Sequence, residues 1–255
     1  MCLIFISVQN HPKYKLVIAA NRDEFYQRKT AAADYWKDHP EILGGRDLEA
    51  QGTWMAINKN GRIAMVTNYR DIKNIKPVAP SRGALVNDFL LNDRSPETYL
   101  NDIERKGPEY NGYNLIVGTP EELWYQSNYK QGVSQLSAGL HGLSNHLLDT
   151  PWPKVERGLK KMETLLKNSD LLTAELFEVL FDDLIAADDK LPDTGVGLER
   201  ERMLSSMFIK SPGYGTRCST VILIDRSNHV QFSERVFDLH TFAYNQRDFQ
   251  FDIRK

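Results

Sequence analysis

The chain has little cysteine, no dominant charge and no long hydrophobic run, and each shortage excludes a class of function. Cys2 and Cys218 are its two cysteines in 255 residues. That is too few for a disulfide-stabilised secreted scaffold, and two thiols alone cannot build a CxxC-based zinc site. They read as free thiols in a reducing compartment, so the expectation is a cytoplasmic protein. A formal net charge of −2 gives no global attraction for nucleic acid or an anionic membrane. The apolar run over residues 3–8 is too short to cross a bilayer. No basic residues precede it and no small-residue cleavage site follows, so it does not read as a signal peptide, and no integral membrane segment is expected. P-loop, HExxH and GxSxG motifs are absent, and Gly195-Val196-Gly197 lacks the third glycine and preceding strand of a dinucleotide site.

What is present is core material and alternating patterns. Hydrophobic residues make up 41% and charged residues 26%, a balance typical of globular proteins. Residues 2–8 and 15–21 are apolar runs around a polar turn with Pro12 and predict a hairpin that begins almost at residue 1. Residues 53–58 and 62–69 flank Lys59-Asn60-Gly61, and Asn-Gly between two such runs is the strongest short-range hairpin signal. Two more hairpins are predicted at 113–118 with 123–127, and at 219–225 with 230–237. Between them lie helical patterns: residues 82–91, a helix opened by Ser95-Pro96-Glu97, 152–167 with Trp152, Val155, Leu159, Met162 and Leu166 on one face, 173–187, and a short one at 198–207. Antiparallel strands with clustered helices predict an α+β layered fold over one domain, residues 1–255, and not a parallel βαβ sheet.

Cys2 is the first residue with chemical promise. Removal of Met1 would place a thiol and an α-amine on one residue. An α-amine with a pKa of about 8 is partly neutral near neutral pH. It can take the thiol proton, so that the thiolate attacks a carbonyl without help from a histidine. The competing reading is a small buried residue opening a strand. Asn21-Arg22-Asp23-Glu24 follows the second predicted strand, and a hairpin returns that end beside Cys2. There an arginine can hold a thiolate and an aspartate can orient an amine, or the run is a solvated strand end. Lys59, Arg62, Arg70, Lys73 and Lys76 read as a solvated rim. His141 and His146 are weak partners for Cys2.

Met1-Cys2-Leu3 followed by Asn21-Arg22-Asp23-Glu24 resembles the NRDE family, also called the Transport and Golgi organisation protein 2 family. Gly44-Gly45-Arg46-Asp47, Gly52-Thr53-Trp54, Thr67-Asn68-Tyr69-Arg70, Tyr113-Asn114-Leu115, Gly142-Leu143-Ser144-Asn145, Leu191-Pro192-Asp193-Thr194-Gly195 and the run from Tyr214 to Val221 extend the resemblance over the chain in order. The family in turn resembles cysteine N-terminal-nucleophile (Ntn) hydrolases that cleave bile-salt amides and penicillin V, which implies a four-layer αββα sandwich. By that resemblance Cys2 is the nucleophile and Arg22 and Asp23 its charged partners. Here the two are adjacent, whereas the relatives separate them by two residues, which leaves open whether Asp23 or Glu24 orients the amine. Asn145 resembles an oxyanion donor, Asn68 or the N–H of Tyr69 a second donor, and Arg217 a late arginine facing the nucleophile. Asn21, Glu24 and Tyr69 are expected to line the substrate. Cys218, one residue after Arg217, is expected on the opposite strand face as a structural residue. The implied substrates are small amides, thioesters or hydrophobic ligands, with no required cofactor. The alternative is a non-catalytic haem or lipid carrier on the same fold, in which Cys2 or a histidine could ligate haem iron.

Overall fold

The computed structural model describes residues 2–254. In chain order the strands are β1 (Cys2–Val8), β2 (Tyr14–Phe25), β3 (Thr30–Tyr35), β4 (Ile42–Asp47), β5 (Met55–Asn58), β6 (Ile63–Asn68), β7 (Tyr113–Gly118), β8 (Leu123–Ser127), β9 (Lys130–Gln135), β10 (Gly139–Leu143), β11 (Lys210–Ser211), β12 (Tyr214–Asp225), β13 (His229–Phe237) and β14 (Tyr244–Asp252). The helices are α1 (Arg82–Leu91), α2 (Pro96–Lys106), α3 (Pro153–Leu165), α4 (Thr173–Leu180) and α5 (Leu198–Leu204). The strands form two antiparallel sheets of seven: β10-β1-β2-β12-β13-β14 with β11 on β12, and β3 through β9 in sequence order.

Period-2 alternation builds the layers. On β1, Ile4, Ile6 and Val8 face a cluster shared with Ile57, Ile63, Met65 and Ile116 of the other sheet. Leu3 and Phe5, on the opposite face, join Val155, Met162, Leu176 and Phe177 from α3 and α4. The second sheet's outer face does the same with α1 and α2 through Leu85, Phe89, Tyr99 and Leu100 against Leu115 and Val117. Three buried seams between helix, sheet, sheet and helix give the four-layer α+β sandwich that the resemblance implied.

All four predicted hairpins are present. The helix predicted over 173–187 stops at Leu180. The Asp182 carboxylate accepts from the Leu184 N–H and is held by Arg157 and Lys161 of α3, so a turn competes successfully with the helix. Leu184, inside the span predicted as helix, is 59% exposed. Among the described residues no helix is long and apolar enough to cross a membrane.

Candidate functional site

The β1–β2 register places Cys2 opposite Arg22, and β12 places Cys218 on the other flank of the same arginine. Cys2 shares the inter-sheet face of Ile4. It opens onto a cavity of about 490 Å³ lined also by Arg22, Asp23, Glu24, Trp54, Asn68 and Arg82. Burial pushes the Cys2 thiol above its ordinary value, against the lowering pull of the Arg22 charge. The Arg22 guanidinium lies 4.6 Å above the Trp54 ring and 3.6 Å from the Glu24 carboxylate. Glu24 is thereby paired with arginine, and Asp23 is held differently. Its side chain is buried, accepts a 2.7 Å bond from the Thr216 hydroxyl, and has its pKa raised by burial, with Lys154 the largest opposing charge.

Asn21 does not reach this cavity. Alternation along β2 turns it to the helix-facing side. There its amide donates to the carbonyls of Leu180 and Met207 at 2.8 and 2.9 Å, and its oxygen accepts from Ser219. It ties β2 to the last residue of α4 and to the segment after α5, a packing role in place of the expected substrate contact. Tyr69 is displaced as well. Its N–H, a suggested oxyanion donor, is committed to the Gly112 carbonyl at 2.9 Å. Its ring stacks on Tyr129 at 3.8 Å and lines a separate recess with His146 and Trp152.

Asn68 ends β6 at the cavity wall. Asn145 lies behind it, fully buried, with its amide donating to the Asn68 carbonyl at 3.1 Å. The two asparagines are therefore neighbours, but Asn68 is the one that lines the cavity. A polar network fixes this corner: the Thr67 hydroxyl donates to the Ser144 carbonyl, and Asn114 donates to Thr67 and to the His146 carbonyl. His141 is engaged by Asp149 and the Ser137 carbonyl, and His146 by Thr150. Neither lines the Cys2 cavity.

Arg217 is the extra residue of a β-bulge in β12. Thr216 pairs with Asp23 and Cys218 with Arg22, so two adjacent residues of β2 face three of β12. The bulge breaks the alternation used to separate Arg217 from Cys218, and both line a smaller cavity of about 90 Å³ on the far side of Arg22 and Trp54. The Arg217 guanidinium donates to the carbonyls of Phe25, Tyr26 and Arg28. It caps the strand β2 leaves behind and does not line the Cys2 cavity.

Three cationic residues here were given no site role from the sequence. Arg82, at the first position of α1, lines the cavity, donates to the Gly112 carbonyl at 3.0 Å and makes no ion pair among the described residues. It can approach because Gly52 and Gly83 let their backbones touch: a Cβ on Gly52 would sit 2.7 Å from the Gly83 carbonyl carbon. Lys154 is buried at the start of α3. Arg70, read as part of a solvated rim, is 8% exposed and paired with buried Glu201 at 2.9 Å. Among the described residues no group of three His, Cys, Asp or Glu side chains is placed to hold a metal ion.

The fold and site geometry can now be set beside known proteins. A solved mutant conjugated bile acid hydrolase from Clostridium perfringens superposes with a TM-score of 0.51, at 9% identity over 98% of this chain and 92% of that one. The Caenorhabditis elegans ortholog of an N-acylethanolamine-hydrolyzing acid amidase does so at 0.50, with 12% identity over 88% and 92%. At such identities the likeness is one of fold, and the fold is that of Ntn hydrolases. The Homo sapiens Transport and Golgi organization protein 2 homolog is 35% identical over the full length of both chains. The Bos taurus homolog is 37% identical over 92% of each, and the Drosophila melanogaster protein 29% over 92% of this chain and 91% of its own. The family model for Transport and Golgi organisation 2 matches residues 1–239, and the chain belongs to that family.

Proposed function

We propose that this protein is an N-terminal cysteine hydrolase that cleaves a small amide or thioester through an acyl-Cys2 intermediate. The observation that carries the reading is the row Cys2–Arg22 at the wall of a polar cavity, with Asp23 buried beside it. Removal of Met1 frees the Cys2 α-amine. That amine accepts the thiol proton, and the thiolate adds to the substrate carbonyl carbon. Negative charge then develops on the carbonyl oxygen, and Asn68, at the cavity wall and braced by the Asn145 amide on its carbonyl, is the residue assigned to meet it. One well-aimed donor is typically worth about 2.7–4 kcal/mol. The ammonium returns its proton to the leaving nitrogen or sulfur as the C–N or C–S bond breaks, and water releases the acyl group by the same route.

Arg22 supplies the positive charge that opposes burial of the thiolate, and Asp23 holds the amine. Arg217 acts on this arrangement only through the strand end it caps. The Ntn-type neighbours support the reading at the level of fold alone. Its test has two parts. Mass spectrometry of untagged protein after a limiting pulse of thiol alkylator should find Met1 absent and the label on Cys2 ahead of Cys218. Cys2→Ala should abolish turnover of acyl amides and thioesters. Unchanged turnover in Cys2→Ala protein sinks the reading and leaves ligand carriage as the use of the cavity.

A further inference from the structure

Arg82 is a cation at the wrong end of a helix. It is the first residue of α1, where the helix dipole presents its positive end and favours an anion. No acidic residue lies in that first turn, and the Ser81 side chain makes no capping bond to it. The backbone N–H groups of Arg82 and Gly83 donate to no described residue. Ser81, Arg82 and Gly83 all line the cavity onto which Cys2 opens. A helix start left uncapped at a cavity wall, with a guanidinium added to it, is suited to an anion from outside the chain.

The cavity's other charges are engaged with one another. Asp47 takes Arg28 at 2.7 Å, and Glu24 takes Arg22 at 3.6 Å. Arg22 is 5% exposed, and its Nη1 makes no hydrogen bond to any described residue. Arg82 commits only Nη1, to the Gly112 carbonyl at 3.0 Å. Its Nε and Nη2 donate to no described residue, and they form the guanidinium edge that holds a planar carboxylate through two parallel bonds. A phosphate dianion suits the place less well, because Glu24 and Asp47 line the same walls and one unpaired arginine cannot balance its second charge.

We propose that Arg82 and the first turn of α1 form a seat for a carboxylate, so that the substrate attacked by Cys2 is an amide or thioester that carries a carboxylate group. The substrate class rests on the Cys2 hydrolase reading; the seat itself does not. The carboxylate belongs either to the acyl part or to the leaving group, and both place one negative charge in the cavity beside the scissile bond.

Alkylating probes test the seat without requiring turnover. Bromoacetyl derivatives of glycine, β-alanine and γ-aminobutyrate carry a carboxylate at increasing reach, and their amides are neutral controls of the same shape. Cys2 labelling is followed by mass spectrometry, each rate divided by that with free cysteine. At one reach or more the acid should label Cys2 about tenfold faster than its amide, the scale of a charge-assisted bond, and Arg82→Gln should erase that preference. An acid no faster than its amide at every reach, or a preference retained in folded Arg82→Gln, overturns the proposal. Should Arg82→Gln fold poorly, Arg82→Lys decides. An ammonium cannot hold both oxygens in parallel, so the preference should fall; an undiminished one would mean a diffuse field and no seat. Turnover then separates the two sources. Glutaryl against pentanoyl p-nitroanilide reports on the acyl side, and pentanoylglycine against pentanoylglycinamide on the leaving side. On the side that carries it the charged member should be preferred, and Arg82→Gln should remove the preference. Failure of the hydrolase reading looks different: turnover would survive Cys2→Ala while the acid preference in alkylation of wild-type protein stood.

Discussion

The Arg70–Glu201 pair offers a sharp test of how the site's corner is held. Both side chains are almost fully buried, 5% and 4% exposed, at 2.9 Å. Glu201 also accepts from the N–H and hydroxyl of Thr194, which pins the loop before α5. Arg70 lies 4.8 Å over the Trp152 ring, and its N–H donates to the Asn145 carbonyl at 2.8 Å. Glu201→Gln keeps the shape and removes the charge, leaving a buried guanidinium uncompensated, with its Nε and one Nη already lacking partners among the described residues. Breaking one side of such a pair costs about 3–5 kcal/mol. For a chain of this length, about 2.1 cal/mol/K of unfolding entropy per residue converts that to a fall of roughly 6–9 °C in Tm. Replacing both partners, Arg70→Met with Glu201→Leu, should recover most of the loss, because the apolar pair has no charge to desolvate. Calorimetry and urea titration of the two single variants and the double variant measure the coupling. If Glu201→Gln costs under about 1 kcal/mol, the pair behaves like a solvated surface bridge and the reasoning fails.

Other perturbations probe the remaining layers. Gly158→Ala puts a Cβ into the Phe5 ring; overpacking of about 1–3 kcal/mol should outweigh the helix-propensity gain of up to about 1 kcal/mol, so a raised Tm would contradict the α3–β1 separation described here. Asn21→Ala strips the Leu180 and Met207 carbonyls and the Ser219 hydroxyl of their partner. Thermal melts should show a destabilisation of several kcal/mol, while alkylation of Cys2 in the folded protein keeps its rate; a changed rate would return Asn21 to the site. The bond from Asp149, its largest cause, raises the His141 pKa. That contribution is full below the unfolded value near 6.5 and is lost as pH rises through the folded value. The stability gap between wild type and Asp149→Asn should therefore narrow between pH 6 and pH 9, and a gap that widens instead contradicts the assignment.

How far the sequence could be read depended on whether a signal was local. Asn60-Gly61 specifies a turn by itself, and Gly61 has a φ of 82° there. β3 and β14 carry no comparable signal. The first is alanine-rich, and the second is polar except for Phe249 and Phe251, which pack on the rim of the inter-sheet core. Each forms because a neighbouring strand offers unpaired backbone, which is a tertiary cause. The meeting of Cys2 and Arg22 was legible because one hairpin register sets it. Period-2 alternation also held a warning: Asn21 and Arg22 must leave a strand on opposite faces, so the four polar residues could not all serve one cavity. Arg217 escaped the same rule because a bulge is invisible without its partner strand.

The buried cations mark the deeper limit. Arg70 and Lys154 have the composition of surface residues, and a net charge of −2 says nothing about which charges lie inside. Lys154 is buried because α3 lies close on β1 and β10. That approach needs Gly158 against Phe5 and Gly142 against Val155, where a Cβ on Gly142 would fall 2.6 Å from the valine methyl. The close approach that seals the core against Phe5 thus also buries the helix's first turn, with its lysine. The glycines were visible in the sequence; the surfaces they face were not. A bulkier residue at either glycine should therefore lower Tm by an overpacking cost of about 1–3 kcal/mol, and a variant as stable as wild type would show that α3 sits farther from β1 and β10 than these contacts require.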